Sequence, residues 1–171
     1  RYYEFALGPV HFFAIDSDPR EPDGVDSASA QAMWLRGRLR SSAAKWKVVY
    51  FHHAPYSSSS THGSSLFMRW PFREWGASAV LSGHDHTYER VMLEDFPCIV
   101  NGLGGRSIYN FGAPIAGSVA RYNGNYGAQL GIADDDSLVL SFFARTGAEI
   151  DRLVLASPSP VLLSPPDGAL D

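Results

Sequence analysis

Cysteine is almost absent: Cys98 stands alone among 171 residues, in the apolar setting FPCIV. It reads as a small buried hydrophobe, not as a nucleophile or a disulfide partner, and it leaves the redox compartment open. Basic clusters are absent too. With 14 Lys and Arg against 18 Asp and Glu, and a net charge of -4, nothing supplies the stripe that neutralises phosphates on nucleic acid or an acidic membrane. No apolar run approaches the roughly 20 residues that cross a bilayer, and there is no internal repeat. An initiator methionine and a signal peptide are also lacking, because the chain opens on Arg1 inside the aromatic segment RYYEFALGPVHFFAID. That opening reads as the cut amino side of a longer protein, whose targeting segment would have gone with the rest.

What is present forms a core. Hydrophobic residues make up 45% of the chain and aromatics 13%, over a length that suits one domain. Val10 to Ile15 is a β-branched and aromatic run bounded by Gly8-Pro9 and Asp16-Ser17-Asp18-Pro19, which predicts a buried strand ending in a loop. From an N-cap at Asp26 or Ser27, the segment SASAQAMWLRGRLRSS places Ala28, Ala32, Leu35 and Leu39 on one face of a helix that Gly37 weakens. WKVVYFHHAPY predicts a second buried strand closed by proline. A short helix over Phe67 to Trp75 and a strand over Ala79 to Ser82 follow. This is an α/β pattern, and its short apolar strands belong in a sheet covered on both faces.

After Tyr88 the texture becomes hairpins: strands over 90–93, 98–101, 128–133, 137–144 and 150–155, with turns at Asp134-Asp135-Asp136 and Thr146-Gly147. Residues 101–127 read as a long Gly- and Asn-rich loop, of the kind that is functional or covering in a compact domain. Residues 1–156 form the domain portion, and 157–171 a Pro/Ser-rich tail or linker.

His84 and His86 sit at i and i+2 in AVLSGHDHTYER. On extended backbone that spacing aims both imidazoles to one side, and Gly83 lets the chain turn sharply. Two such nitrogens make half a metal site for zinc, iron or manganese. His53 is the obvious third ligand, since it ends another buried strand and parallel α/β sheets assemble sites at the carboxyl ends of strands. His52 is its neighbour, and on a strand consecutive side chains diverge, so His52 is expected to pack or support rather than ligate.

VVYFHHAPYSSSSTHG followed by AVLSGHDHTYER resembles the carboxyl-side motifs of the calcineurin-like metallophosphoesterases, in particular the purple acid phosphatase branch. The resemblance runs from about Tyr3 to Leu155. It implies a four-layer α/β/β/α sandwich with mixed sheets, of which this chain holds the second half, and hydrolysis of phosphate monoesters or diesters at a dinuclear centre of Fe, Zn or Mn. His53 and His84 would ligate one metal and His86 the other, while His62 would face the substrate phosphate and protonate the leaving alkoxide. Two cations about 3.5 to 4 Å apart would clamp the attacking and leaving oxygens.

The amino-side motifs of that family, two Gly-Asp blocks and a Gly-Asn-His block, are absent here. AIDSDP does not replace them, because Asp16 lacks the preceding glycine. The partner implied is therefore the amino-terminal half of the same domain, and the 171-residue piece is expected to be inactive alone. Many members are exported, which points toward a secreted or periplasmic setting without fixing it. Two rivals stand beside this reading: a non-catalytic or degenerate phosphate- or protein-binding module of the same fold, and a mononuclear zinc hydrolase using His53, His84 and His86.

Other residues have humbler expectations. Asp85 should support the histidines from behind, and Tyr88, Glu89 and Arg90 should brace their loop. Arg106 could reach a phosphate through its flat guanidinium, although a loop-bracing salt bridge is the simpler role. His11 reads as a satisfied core histidine and the Asp134–Asp136 run as a solvated turn, not a calcium loop. Tyr109, Phe111, Tyr122 and Tyr126 would either line a substrate mouth or, the preferred reading, pin the long loop.

Overall fold

Alternation along one strand sets the layering. In β3 (Trp46–Phe51), Trp46 and Val48 turn to one side of the sheet and Val49 and Phe51 to the other, and all four are buried, as in any strand covered on both faces. The structure is a computed structural model that describes residues 1–157, so the tail expected at 157–171 lies outside the described residues beyond its first position.

Seven strands form one mixed sheet in the order β1 (Tyr3–Leu7), β2 (Val10–Ala14), β3, β4 (Ala79–Ser82), β6 (Phe96–Asn101), β5 (Tyr88–Leu93), β7 (Ser118–Tyr122). β2, β3, β4 and β6 run parallel, while β1, β5 and β7 pair antiparallel. One face is covered by α1 (Ala30–Ser41) and α2 (Phe72–Trp75), which enclose Phe13, Leu35, Leu39, Val49, Phe51 and Trp70. The other face meets a three-stranded antiparallel sheet, β10 (Glu149–Ala156), β9 (Ser137–Ala144), β8 (Gly127–Ala133), through Val48, Tyr88, Ile99, Leu138, Leu140 and Phe142.

This is the α/β architecture with mixed sheets that the sequence resemblance implies, and it holds three of the four layers. The outer face of the small sheet carries Leu130, Ile132 and Val154, all more than 45% exposed, with no helix over it among the described residues. Among the described residues the β8 edge is unpaired, and an apolar cleft of about 870 Å³, lined by Phe5, Leu7, Phe12, Leu81, Gln129 and Leu140, opens between the two sheets.

Local differences from the sequence expectations have physical causes. The first helix starts at Ala30, with Ser29 as N-cap accepting from the Ala32 N–H at 3.2 Å. Asp26 is spent on the preceding turn, where its carboxylate accepts from Ala28 at 2.8 Å and its carbonyl from Ser29 at 3.1 Å. The expected helix over 67–75 is broken into a 3-10 turn, Leu66–Met68, and α2, because Pro71 has no N–H to continue the ladder. β1 and β7 are additions: β1 closes an antiparallel hairpin on β2, and β7 lies inside the segment expected to be all loop. Both are edge strands with side chains exposed or only half-buried, which is why hydrophobic periodicity does not reveal them.

Cys98 lies in β6 opposite Val80 of β4 and Val91 of β5, 2% exposed, and burial pushes its thiol up to about 12.

β5 ties the layers together by the same alternation. Tyr88 and Arg90 reach the small sheet: the Tyr88 hydroxyl donates to Asp151 Oδ2 at 2.8 Å, and the Arg90 guanidinium binds both oxygens of that carboxylate at 2.7 and 2.9 Å. The Tyr88 ring also stacks on Phe142 at 4.2 Å. Burial alone would raise the Asp151 carboxyl, but the Arg90 and Tyr88 hydrogen bonds outweigh it and hold the group below its ordinary 3.8. Asp151→Ala strands a half-buried guanidinium and a buried hydroxyl and is expected to cost about 3 kcal/mol in urea unfolding. A carboxyl held low in the fold contributes where the unfolded chain is already ionised. The wild-type advantage over the variant is therefore expected to be full above about pH 5 and to decline as pH falls through 3.8 and below.

Candidate metal centre

β3 and β4 are parallel neighbours that end level, with Phe51 opposite Ser82. The Gly83 N–H donates to the His52 carbonyl at 3.0 Å, so the pairing is carried one residue past the strands. His52 and His53 leave the first strand and His84 the second. One ring nitrogen from each of the three lies within 4.8 Å of the others. Their ring centroids form a closed triangle: His52 to His53 4.9 Å, His52 to His84 4.8 Å and His53 to His84 4.5 Å.

The expectation that only one of His52 and His53 could enter the site is corrected by this geometry. β3 ends at Phe51, and the rule that consecutive side chains diverge applies only to extended backbone. Beyond the strand the chain bends, and His52 Nε2 comes to 2.9 Å from His84 Nδ1.

His86 is also placed differently from the expectation. The segment after Gly83 is a tight turn in which His84 adopts φ 69°, a left-handed conformation in which histidine is enriched, so the i, i+2 spacing does not aim His84 and His86 together. His86 stands outside the three-histidine group. Its ring stacks on Tyr109 at 4.0 Å, and its Nδ1–H donates to the Ser107 carbonyl at 2.6 Å. That hydrogen bond fixes the tautomer and leaves Nε2 with its lone pair, the support that metal-binding histidines ordinarily have.

His62 reaches the cluster from the serine loop and stacks on His84 at 4.0 Å, with Tyr109 edge-on at 5.6 Å. Asp85, fully buried, accepts the His62 main-chain N–H through Oδ1 at 3.2 Å, so its support goes to the loop that carries His62 rather than to a ligand ring. Glu89, fully buried on the face of β5 opposite Tyr88, accepts the Ser58 N–H at 2.6 Å and the hydroxyls of Ser58 and Ser118. It thereby braces the same serine loop, while Arg90 and Tyr88 brace the sheets instead. Arg106 is exposed, without a hydrogen bond or ion pair among the described residues, one position before the carbonyl that holds His86.

Ser17 is a contributor that sequence reasoning missed. Its hydroxyl accepts the His53 main-chain N–H at 3.0 Å and meets His53 Nδ1 at 2.9 Å. It lies just past β2, the strand next to β3, so the tendency of sites to gather at carboxyl ends of parallel strands was the signal available. Asp16, Ser17 and Asp18 line a cavity of about 400 Å³ beside His52 and His53. Asp18 is occupied by Arg20, whose side-chain and main-chain hydrogen bonds hold it far below the usual carboxylate range.

The donor set fits a borderline divalent cation, because three imidazoles converge. Burial lowers His53, helped by the nearby His52 and opposed by Asp18. Burial, then His62, His53 and His52, bring His84 down to about 4. Neutral imidazole is the form that ligates. No carboxylate belongs to the cluster among the described residues, so nothing in it would bridge two cations.

The sequence pattern of the calcineurin-like phosphoesterase family (Metallophos) matches residues 7–88, which span β2, β3, β4 and every histidine described above. No curated protein matches the chain significantly. Among solved structures, GAP50, described as the anchor in the inner membrane complex of Plasmodium, superposes with a TM-score of 0.71 at 18% identity, covering 92% of this chain and 54% of that one. A structure of PhoD superposes with a TM-score of 0.50 at 13% identity, covering 91% of this chain and 40% of that one. The chain thus spans about half the length, or less, of these two solved proteins, and at these identities the likeness is one of fold.

Two outcomes test the geometry. A Cβ on Gly102 would lie 2.0 Å from the Asp85 carbonyl oxygen, and that main-chain atom cannot swing aside. Gly102→Ala is therefore expected to cost about 1–3 kcal/mol by overpacking, and to shift the NMR resonances of His84 and His86 while leaving those of α1 in place. In a pH titration of the metal-free chain by imidazole NMR, His84 is expected to stay neutral until about pH 4 instead of the ordinary 6.5. A base depressed in the fold costs stability when it must take up a proton. Its contribution is thus full above 6.5 and lost as pH falls toward 4.

Proposed function

We propose that this chain, whose residues 7–88 match the calcineurin-like phosphoesterase family, is the histidine-bearing half of a metal-dependent hydrolase of phosphate esters. The observation that carries the reading is the convergence of His53 and His84 at the level ends of two parallel strands, with His62 stacked over His84 at 4.0 Å. The purple acid phosphatase-like branch is the part of the family whose motifs HHAP and GHDHTYER match best. The other half of the domain would supply carboxylates, and the apolar cleft between the sheets, with the unpaired β8 edge beside it, is the surface it would cover.

In this reading His53 and His84 hold one metal of a pair and His86, through its free Nε2, the other. The metals, when bound, supply Lewis-acid polarisation of the phosphoryl oxygens and a lowered pKa for water. The remaining work falls to side chains of this chain. His62 gives a proton to the departing alkoxide, which costs nothing in lost ligation because His62 is not in the metal cluster. Tyr109 holds the His62 and His86 rings apart, and Asp85 and Glu89 fix the serine loop so that His62 stays over the site. Arg106, exposed and unpaired among the described residues, is free to meet two phosphate oxygens with two parallel N–H donors.

The test uses the protein extended on its amino side, beside the 171-residue chain, with p-nitrophenyl phosphate and an alkyl phosphate as substrates. Hydrolysis is expected only in the extended protein, and His84→Ala is expected to lower kcat/KM by about 10²–10³-fold or more. His62→Ala should lower kcat by about 10²-fold on the alkyl ester, which needs a proton for its leaving group, and far less on the p-nitrophenyl ester, which does not. A folded, metal-loaded extended protein without turnover would overturn the enzyme reading in favour of a binding module of the same fold.

A further inference from the structure

The reading above asks two histidines to hold the first metal, yet three imidazoles meet there. We propose that His52 is itself a metal ligand, completing with His53 and His84 a three-histidine site for one zinc-class divalent cation, which this chain can hold without a carboxylate from any other segment. The inference rests on the metal-site reading of His53 and His84 but not on catalysis.

The geometry points to it in three ways. His52 Nε2 faces His84 Nδ1 at 2.9 Å, whereas two nitrogens sharing a tetrahedral zinc at Zn–N of about 2.0–2.1 Å stand about 3.4 Å apart. The two nitrogens therefore already lie within about 0.5 Å of the spacing that a shared ion requires, and small ring rotations would admit the ion between them. Ser17 grips His53 from behind, at its main-chain N–H and at Nδ1, which leaves Nε2 as the outward atom and gives the ligand the fixed orientation that supporting hydrogen bonds provide. Finally, His52 is exposed while His53 and His84 are half-buried. An exposed imidazole is free to point into water, so the convergence of His52 on the two half-buried ones, with no acid in the cluster among the described residues, is the arrangement of a three-imidazole zinc site. Such sites keep their fourth position open, and here the cavity of about 400 Å³ beside His52 and His53 provides the room.

The alternative is a plain N–H···N hydrogen bond between two neutral histidines, and metal titration separates the two. The metal-stripped 171-residue chain is titrated with Zn(II) by calorimetry and with Co(II) by visible absorption, with circular dichroism to confirm that each variant is folded. The expected result is one ion per chain and the intense d–d absorption of four-coordinate Co(II). His52→Ala should weaken Zn(II) by more than about 10²-fold, beyond the 10–100-fold that loss of a merely supporting group costs, and should drop the Co(II) absorption toward the weak bands of higher coordination. Ser17→Ala should weaken binding within that 10–100-fold range, and His11→Ala, remote from the cluster, should leave it unchanged. Unaltered affinity and spectrum in folded His52→Ala would overturn the proposal, as would a folded wild-type chain that binds no zinc. Zinc held through His52 in an extended protein that hydrolyses nothing would sink the enzymatic reading and leave this one standing.

Discussion

Parallel pairing of β3 with β4, ending at the same level, is the constraint on which the site depends. Because Phe51 lies opposite Ser82 and the Gly83 N–H still reaches the His52 carbonyl, residues that are more than thirty positions apart in the chain leave the sheet side by side. A shift of register by one residue would turn Val48 and Val49 to the wrong faces and would also part the imidazoles. Core packing and site geometry are therefore enforced by the same hydrogen bonds. The loops that follow only refine the arrangement: the Gly102 N–H donates to the Thr87 carbonyl, the Tyr109 N–H to the His86 carbonyl and the Ser60 N–H to the Asn110 carbonyl, so the three loops around the histidines are knitted by main-chain bonds.

The distribution of polarity divides the molecule into a finished and an unfinished side. Toward the helices, Leu35, Leu39, Met68 and Trp70 close a core with almost no exposure. Toward the small sheet, the cleft, the β8 edge and the outward Leu130, Ile132 and Val154 are left uncovered by the described residues. An open strand edge beside apolar surface is a place for another chain segment to add. The clamp formed by Tyr88, Arg90 and Asp151 holds the small sheet to the large one, through a charge-assisted pair with two parallel bonds.

Much of this was legible in the sequence. The runs WKVVYF and AVLS announced buried parallel strands, and HHAP and GHDH announced histidines gathered at their ends. What was not legible depends on where extended backbone stops. The divergence of His52 from His53, and the convergence of His84 with His86, both followed from applying strand geometry past Phe51 and past Ser82, where the chain turns. Ser17 and Tyr109 come to the histidines from other strands and loops, and contacts of that kind leave no local periodicity to read. Asp85 and Glu89 were expected to support the site, and only the packed structure tells that they do so by holding the serine loop. β1 and β7 escaped notice because an edge strand need not alternate hydrophobic with polar as a central one does.

The position of Cys98 gives the molecule a built-in reporter. Its strand is flanked on both sides, by β4 and β5, and its thiol is neither reachable nor ionised at neutral pH. Alkylating reagents can meet it only when the middle of the large sheet parts, so the rate of labelling measures how often the strands that present the histidines come open. Since the chain has no second cysteine, that rate carries one signal, and binding of any ion that bridges the ends of β3 and β4 would register as slower labelling of a residue in the strand beside them.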